Sequence, residues 1–84
     1  MISAAQIRAA RALLGMSAAE LASRANVGWA TVQRFEVQEG IPQSRSATLQ
    51  KVQKALEDAG VIFLGDPITC PGVQVREKAV AIEP

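Results

Sequence analysis

Few residues of this 84-residue chain are of a type that does chemistry. It has no histidine, and Cys70 is its single cysteine, so histidine-based acid–base catalysis, a zinc cluster and a disulfide framework are excluded. No glycine-rich loop is built to cradle a phosphate, and the carboxylates fall on polar helix faces instead of flanking a cleft. An enzyme is therefore not expected, nor a cofactor, a metal or a small-molecule substrate, and Cys70 reads as an inert thiol. What remains is cations and amides, unevenly placed. Residues 1 to 54 hold seven cations (Arg8, Arg11, Arg24, Arg34, Arg45, Lys51, Lys54) against Glu20, Glu36 and Glu39, a net of +4. Residues 55 to 84 hold Arg76 and Lys78 against Glu57, Asp58, Asp66, Glu77 and Glu83, a net of −3. The overall charge of +1 hides this split, which turns the first two thirds toward a polyanion and gives the last third other work.

The elements that must position these side chains are short. Eighty-four residues make one small domain with one modest core, and aromatics at 4% leave that core to Ala, Val, Leu and Ile, which suits close-packed helices. From a Ser3 cap, "AAQIRAARALL" sets Ile7, Ala10, Leu13 and Leu14 on a helical stripe and stops at Gly15. Ser17 followed by Glu20 has the capping-box spacing and opens a second, short helix with Leu21, Ala22 and Ala25 inward. Asn26 tolerates the left-handed turn that ends it. A third helix runs from about Gly28 to Val37, with Val32 and Phe35 inward. After a polar loop with Gly40 and Pro42, Ser46 caps a fourth helix carrying Leu49, Val52 and Leu56 until Gly60. "VIFL" and "VQVRE" then change the period to two and predict a hairpin or strand pair, with "KAVAIEP" extending the second strand or fraying.

The spacing from Ala18 to Val37 is that of a helix-turn-helix. Two short helices that cross closely need a small residue at the crossing, which Ala22 supplies; Asn26 supplies the positive φ, and Val32 fills the gap between the helices. One feature strains against this economy. Trp29, the only tryptophan, stands at the start of a short helix, where burial is hardest.

The words "IRAARALLGMSAAELA" and "VGWATVQRFE", a loop with Pro42 and a helix of the "TLQKVQKALEDAGV" type resemble the Cro and phage-repressor family of bacterial helix-turn-helix regulators, the XRE family. The resemblance covers residues 2 to 60, and "GVIFL…PGVQV" is similar to the strand extension of small single-domain members. It implies a mainly α fold: a four-helix Cro/repressor-like helix-turn-helix domain over residues 1–60, then a hairpin or strand pair over 61–84. Two positions depart from the family pattern. Ala18 stands where a phosphate-gripping glutamine is usual, and Asn26 where glycine is usual in the turn.

Family geometry implies that the third helix lies in the major groove of double-stranded DNA, with Trp29, Ala30, Gln33 and Arg34 on base edges. Arg34 matches guanine O6 and N7, Gln33 matches adenine, and the Trp29 ring meets thymine methyls. The competing readings are a solvated charge or amide for Arg34 and Gln33, and packing on the second helix or another subunit for Trp29. Phosphate contacts are expected from Ser44, Arg45 and Ser46 in the loop after the third helix and from Arg8 and Lys51, with Gly28 at the cap close to the DNA backbone. In place of the missing glutamine, Ser17 and the free N–H groups of the helix start can reach a phosphate. The resemblance pairs Arg11 with Glu36 in a partly buried ion pair between the first and third helices.

One recognition helix contacts too few bases for genomic selectivity, so a homodimer is expected, built on Val61, Ile62, Phe63, Leu64, Val73 and Val75. The alternative is a protein-binding module, such as the antitoxin of a toxin–antitoxin pair, with DNA binding secondary. No run is apolar enough for a membrane span and the amino terminus is wrong for a signal peptide, so no membrane contact and a cytoplasmic protein are expected.

Overall fold

A computed structural model of the chain describes residues 1–44 and 46–76, with the main chain alone at Ser46. Its elements are α1 (Ala4–Leu14), α2 (Ala18–Ala25), α3 (Trp29–Val37), α4 (Ser46–Asp58), β1 (Val61–Leu64) and β2 (Gly72–Val75). The fold is mainly α, four helices of helix-turn-helix type followed by an antiparallel hairpin. Residues 77–84 and Arg45 lie outside the described residues, and so does the expected extension by "KAVAIEP".

Local chemistry sets the helix ends. Ser3 is extended and its hydroxyl accepts from Gln6 N at 3.2 Å, while Gln6 Oε1 accepts from Ser3 N at 3.0 Å, a complete capping box. Gly15 ends α1 in the left-handed region (φ 65°), and Met16 N donates back to the Arg11 carbonyl. Ser17 caps α2 by accepting from Glu20 N at 3.0 Å. The Glu20 carboxylate pairs forward with Arg24 at 3.1 Å. α4 starts at Ser46 itself, one residue earlier than a Ser46 cap requires, and the Ser46 side chain is outside the described residues.

The core sits where α1, α2, α3 and α4 meet. Phe35, Ile2, Ile7, Leu21, Leu56, Val32 and Val52 are fully buried, with Ala10, Ala22 and Ala25 letting the backbones approach. Burying a side chain of the size of Phe35 contributes roughly 1.5 to 3 kcal/mol. Leu13 is a correction to the expected inward stripe: it is 57% exposed, while Leu14 packs on the core. At about 100° per residue Ile7, Ala10 and Leu14 share one face, and Leu13 falls outside it.

The hairpin pairs Val61 with Val75 and Phe63 with Val73 on one face, and Ile62 with Gln74 and Leu64 with Gly72 on the other. The first face packs on the helices. Gln6 Nε2 donates to the Gly72 carbonyl at 3.0 Å and the Leu64 carbonyl at 3.3 Å, and Arg76 N donates to the Gly60 carbonyl at 2.7 Å. Hence residues 61–76 share the core of residues 1–60 instead of standing apart. Val61, expected at a dimer surface, is a correction: it is 3% exposed, inside the monomer. Phe63, Val73 and Val75 are partly buried against the same core, because a two-stranded sheet is marginal until a helix covers its apolar face. The outward apolar residues are Ile62 and Leu64, with Ile68 in the turn between the strands.

Candidate nucleic-acid interface

The turn between α2 and α3 is three residues long, Asn26 to Gly28. Asn26 takes φ 58° and ψ 46°, the left-handed conformation, and its N–H reaches the carbonyls of Ala22 and Ser23. Val27 N also donates to the Ala22 carbonyl, at 3.0 Å. Ala22 and Ala25 are buried, and Ala18 packs against the core. Extended Gly28 then opens α3 with no side-chain cap, so the first amides of α3 stay free of a side-chain partner.

α3 divides sharply by face. Val32, Phe35 and Glu36 point inward. Trp29, Ala30, Gln33, Arg34 and Val37 are all exposed, Trp29 at 53% and Val37 at 79%. Positions 29, 30, 33, 34 and 37 form one stripe at helical spacing. The four expected base-reading side chains are therefore brought onto a single open surface with an aromatic ring at its amino-terminal end. Packing of Trp29 into the core is not what the fold uses it for. The Arg34 guanidinium carbon lies 5.8 Å from the Phe35 ring centroid, near the limit of cation–π attraction.

Two arginines of α1 hold the inner side of this helix. Arg11 Nε and Nη2 donate to the two Glu36 carboxylate oxygens at 2.6 and 2.7 Å, and Arg11 Nη1 donates to the Met16 carbonyl at 2.9 Å. The side chains are 25% and 10% exposed. The bond to Glu36 holds the Arg11 pKa above its ordinary value, against the lowering effect of burial. Arg8, expected at a phosphate, donates from Nη1 to the main-chain carbonyl of Glu36.

The remaining expected phosphate contacts are placed as follows. Ser17 caps α2 with its hydroxyl oxygen, which leaves the hydroxyl proton to donate outward. Ser44 and Lys51 are exposed, Ser44 in the loop after α3 and Lys51 on α4, a helix that packs against α2. Among the described residues Arg34 and Lys51 take part in no ion pair, whereas Arg24 pairs with Glu20 and Lys54 with Asp58. The Ser46 side chain and Arg45 cannot be placed among the described residues.

Two glutamines outside the expected site bind main-chain groups that position it. Gln38 Nε2 donates to the Arg34 carbonyl at 3.2 Å, and Gln38 Oε1 accepts from Gln43 N at 2.9 Å. It thus ties the end of α3 to the loop residue just before Ser44. Gln6, described above, ties α1 to the hairpin. Gln6 had a local signal, since it follows Ser3 at the capping-box spacing; Gln38 had none.

No family model matches the chain, and no curated protein matches it. Two surface hollows lie away from the open stripe. One of about 420 Å³ is lined by Met1, Leu49, Gln50, Gln53, Lys54 and Glu57, and one of about 220 Å³ by residues of α1 and the hairpin. No described group of three or more His, Cys, Asp or Glu side chains is placed to hold a metal ion. No described helix is long and apolar enough to cross a membrane.

Proposed function

We propose that this chain is a sequence-reading regulator that binds double-stranded DNA as a homodimer, of the XRE helix-turn-helix kind, with α3 in the major groove. The observation that carries this reading is the stripe Trp29, Ala30, Gln33, Arg34 and Val37, every member of it exposed, on a helix whose other side is locked into the core. Paired hydrogen-bonding groups at Gln33 and Arg34, flanked by apolar Trp29 and Val37, suit base edges and thymine methyls. The uncapped start of α3 at Gly28, the Ser17 hydroxyl, Ser44, Arg45, Ser46 and Lys51 serve phosphates. Ile62 and Leu64 serve the contact between copies, and the protein works in the cytoplasm.

A second reading, a protein-binding module of antitoxin type, is favoured by one observation: Ile62, Leu64 and Ile68 remain exposed on the hairpin. Selection of bound duplexes from a random library separates the two. Enrichment of a two-fold symmetric site supports the regulator. A library that stays random after several rounds supports the module.

A further inference from the structure

The last carbonyls of an α-helix have no partner within it. At the end of α3, the Arg34 carbonyl accepts from Gln38 Nε2 and the Phe35 carbonyl from Gln38 N. The Glu36 carbonyl accepts from Arg8 Nη1, a donor 28 residues earlier and on another helix. A cation there also suits the negative end of the helix dipole. Arg11, three residues after Arg8 on α1, holds the carboxylate of the same Glu36. α1 therefore grips Glu36 twice, by main chain and by side chain. Two attachment points resist both rotation of α3 about its axis and sliding along it, which one ion pair cannot do. Gln33, three residues before Glu36, and Arg34, two before it, are both exposed and lie within one turn of it, so their aim follows from how Glu36 is held.

We propose that Arg8 is a positioning residue, which fixes the direction in which the open face of α3 points, and not a phosphate contact. The inference rests on the DNA-reading assignment for its consequence, while the clamp itself is a property of the free protein. Arg8 is exposed, so Arg8→Gln leaves the core untouched.

Two measurements on the full chain test it. Amide hydrogen exchange of the free protein reads the clamp: Arg8→Gln speeds exchange in the last turn of α3 by about threefold or more and leaves α2 unchanged, as expected for losing a bond of ordinary strength. Fluorescence anisotropy with the preferred duplex and single-base variants of it, over a salt series, reads the consequence. The preference for the correct duplex falls about threefold to tenfold with the salt slope unchanged. A slope reduced by about one, with equal weakening on every duplex, makes Arg8 a phosphate contact and overturns the proposal. Unchanged exchange also overturns it. If the parent protein shows no duplex preference, the DNA-reading assignment fails, and faster exchange in Arg8→Gln still upholds Arg8 as the residue that positions α3.

Discussion

Arg11 and Glu36 meet side by side, with two guanidinium nitrogens on two carboxylate oxygens at 2.6 and 2.7 Å, across the gap between α1 and α3. This pair joins the helix that would read DNA to the body of the protein. Removing one partner strands the other in a partly desolvated place. Glu36→Ala is expected to cost about 2 to 3 kcal/mol, below the range for a fully buried pair because the Arg11 side chain keeps some access to water. Urea unfolding checks this: the midpoint falls and the slope stays constant.

Gly65 and Gly15 both adopt positive φ, 71° and 65°, yet substitution should separate them. A Cβ at Gly15 meets nothing within 4 Å, so Gly15→Ala costs only the left-handed penalty, about 1 kcal/mol. A Cβ at Gly65 would stand 2.0 Å from the Cys70 carbonyl oxygen. Gly65→Ala must open the turn and is expected to cost more than about 2 kcal/mol. The same urea titration ranks the two.

Asp66 organises that turn. Its Oδ1 accepts from Thr69 N at 2.9 Å and Ile68 N at 2.8 Å, and these bonds, Thr69 first, hold its pKa below the ordinary carboxyl value. A depressed folded pKa stabilises the turn above the unfolded value, about 3.9, and that contribution is lost as pH falls through the folded value. The Ile68 and Thr69 amide resonances should shift with pH about a midpoint that lies below the unfolded carboxyl value of about 3.9. A midpoint above that value would contradict the account.

Much of the fold was legible because it is local. Ser3, Gly15, Ser17 and Asn26 announce helix ends by their own conformational preferences, and the alternation of Val73, Gln74 and Val75 announces the strand. The outward set Trp29, Ala30, Gln33 and Arg34 was expected from the family resemblance, and helical spacing accounts for its exposure once Val32 and Phe35 face inward. Three features were not legible for a shared reason, that they depend on distant partners. Arg8 and Glu36 are 28 residues apart, Gln6 and Gly72 are 66 apart, and no periodicity relates them. Val61 looked like a free apolar edge because its alternation shows that it faces something, but not whether that is its own helices or a second chain. Leu13 breaks the expected stripe for a smaller reason: it lies about 120° round the helix from Ile7, beyond the edge of the face that Ile7, Ala10 and Leu14 share.

If Ile62 and Leu64 join two copies, a charge there separates them. Leu64→Lys, at an outward position, is expected to convert the sedimentation profile from dimer to monomer and to abolish the dependence of the unfolding midpoint on protein concentration that a dimer shows. A parent protein that already sediments as a monomer at micromolar concentration contradicts the dimer.

The central claim is that the open face of α3 reads bases. Trp29 is the only tryptophan, so its emission reports on that face alone. The most direct measurement titrates the protein with its selected duplex and with a scrambled one, by Trp29 emission and anisotropy together, for the parent and for Arg34→Ala. The account predicts an emission change and tighter binding with the selected duplex only. It also predicts a loss of about 1 to 3 kcal/mol of preference in Arg34→Ala, with folding unaltered. Equal binding to both duplexes, with Trp29 emission unmoved and Arg34→Ala without effect, would contradict it.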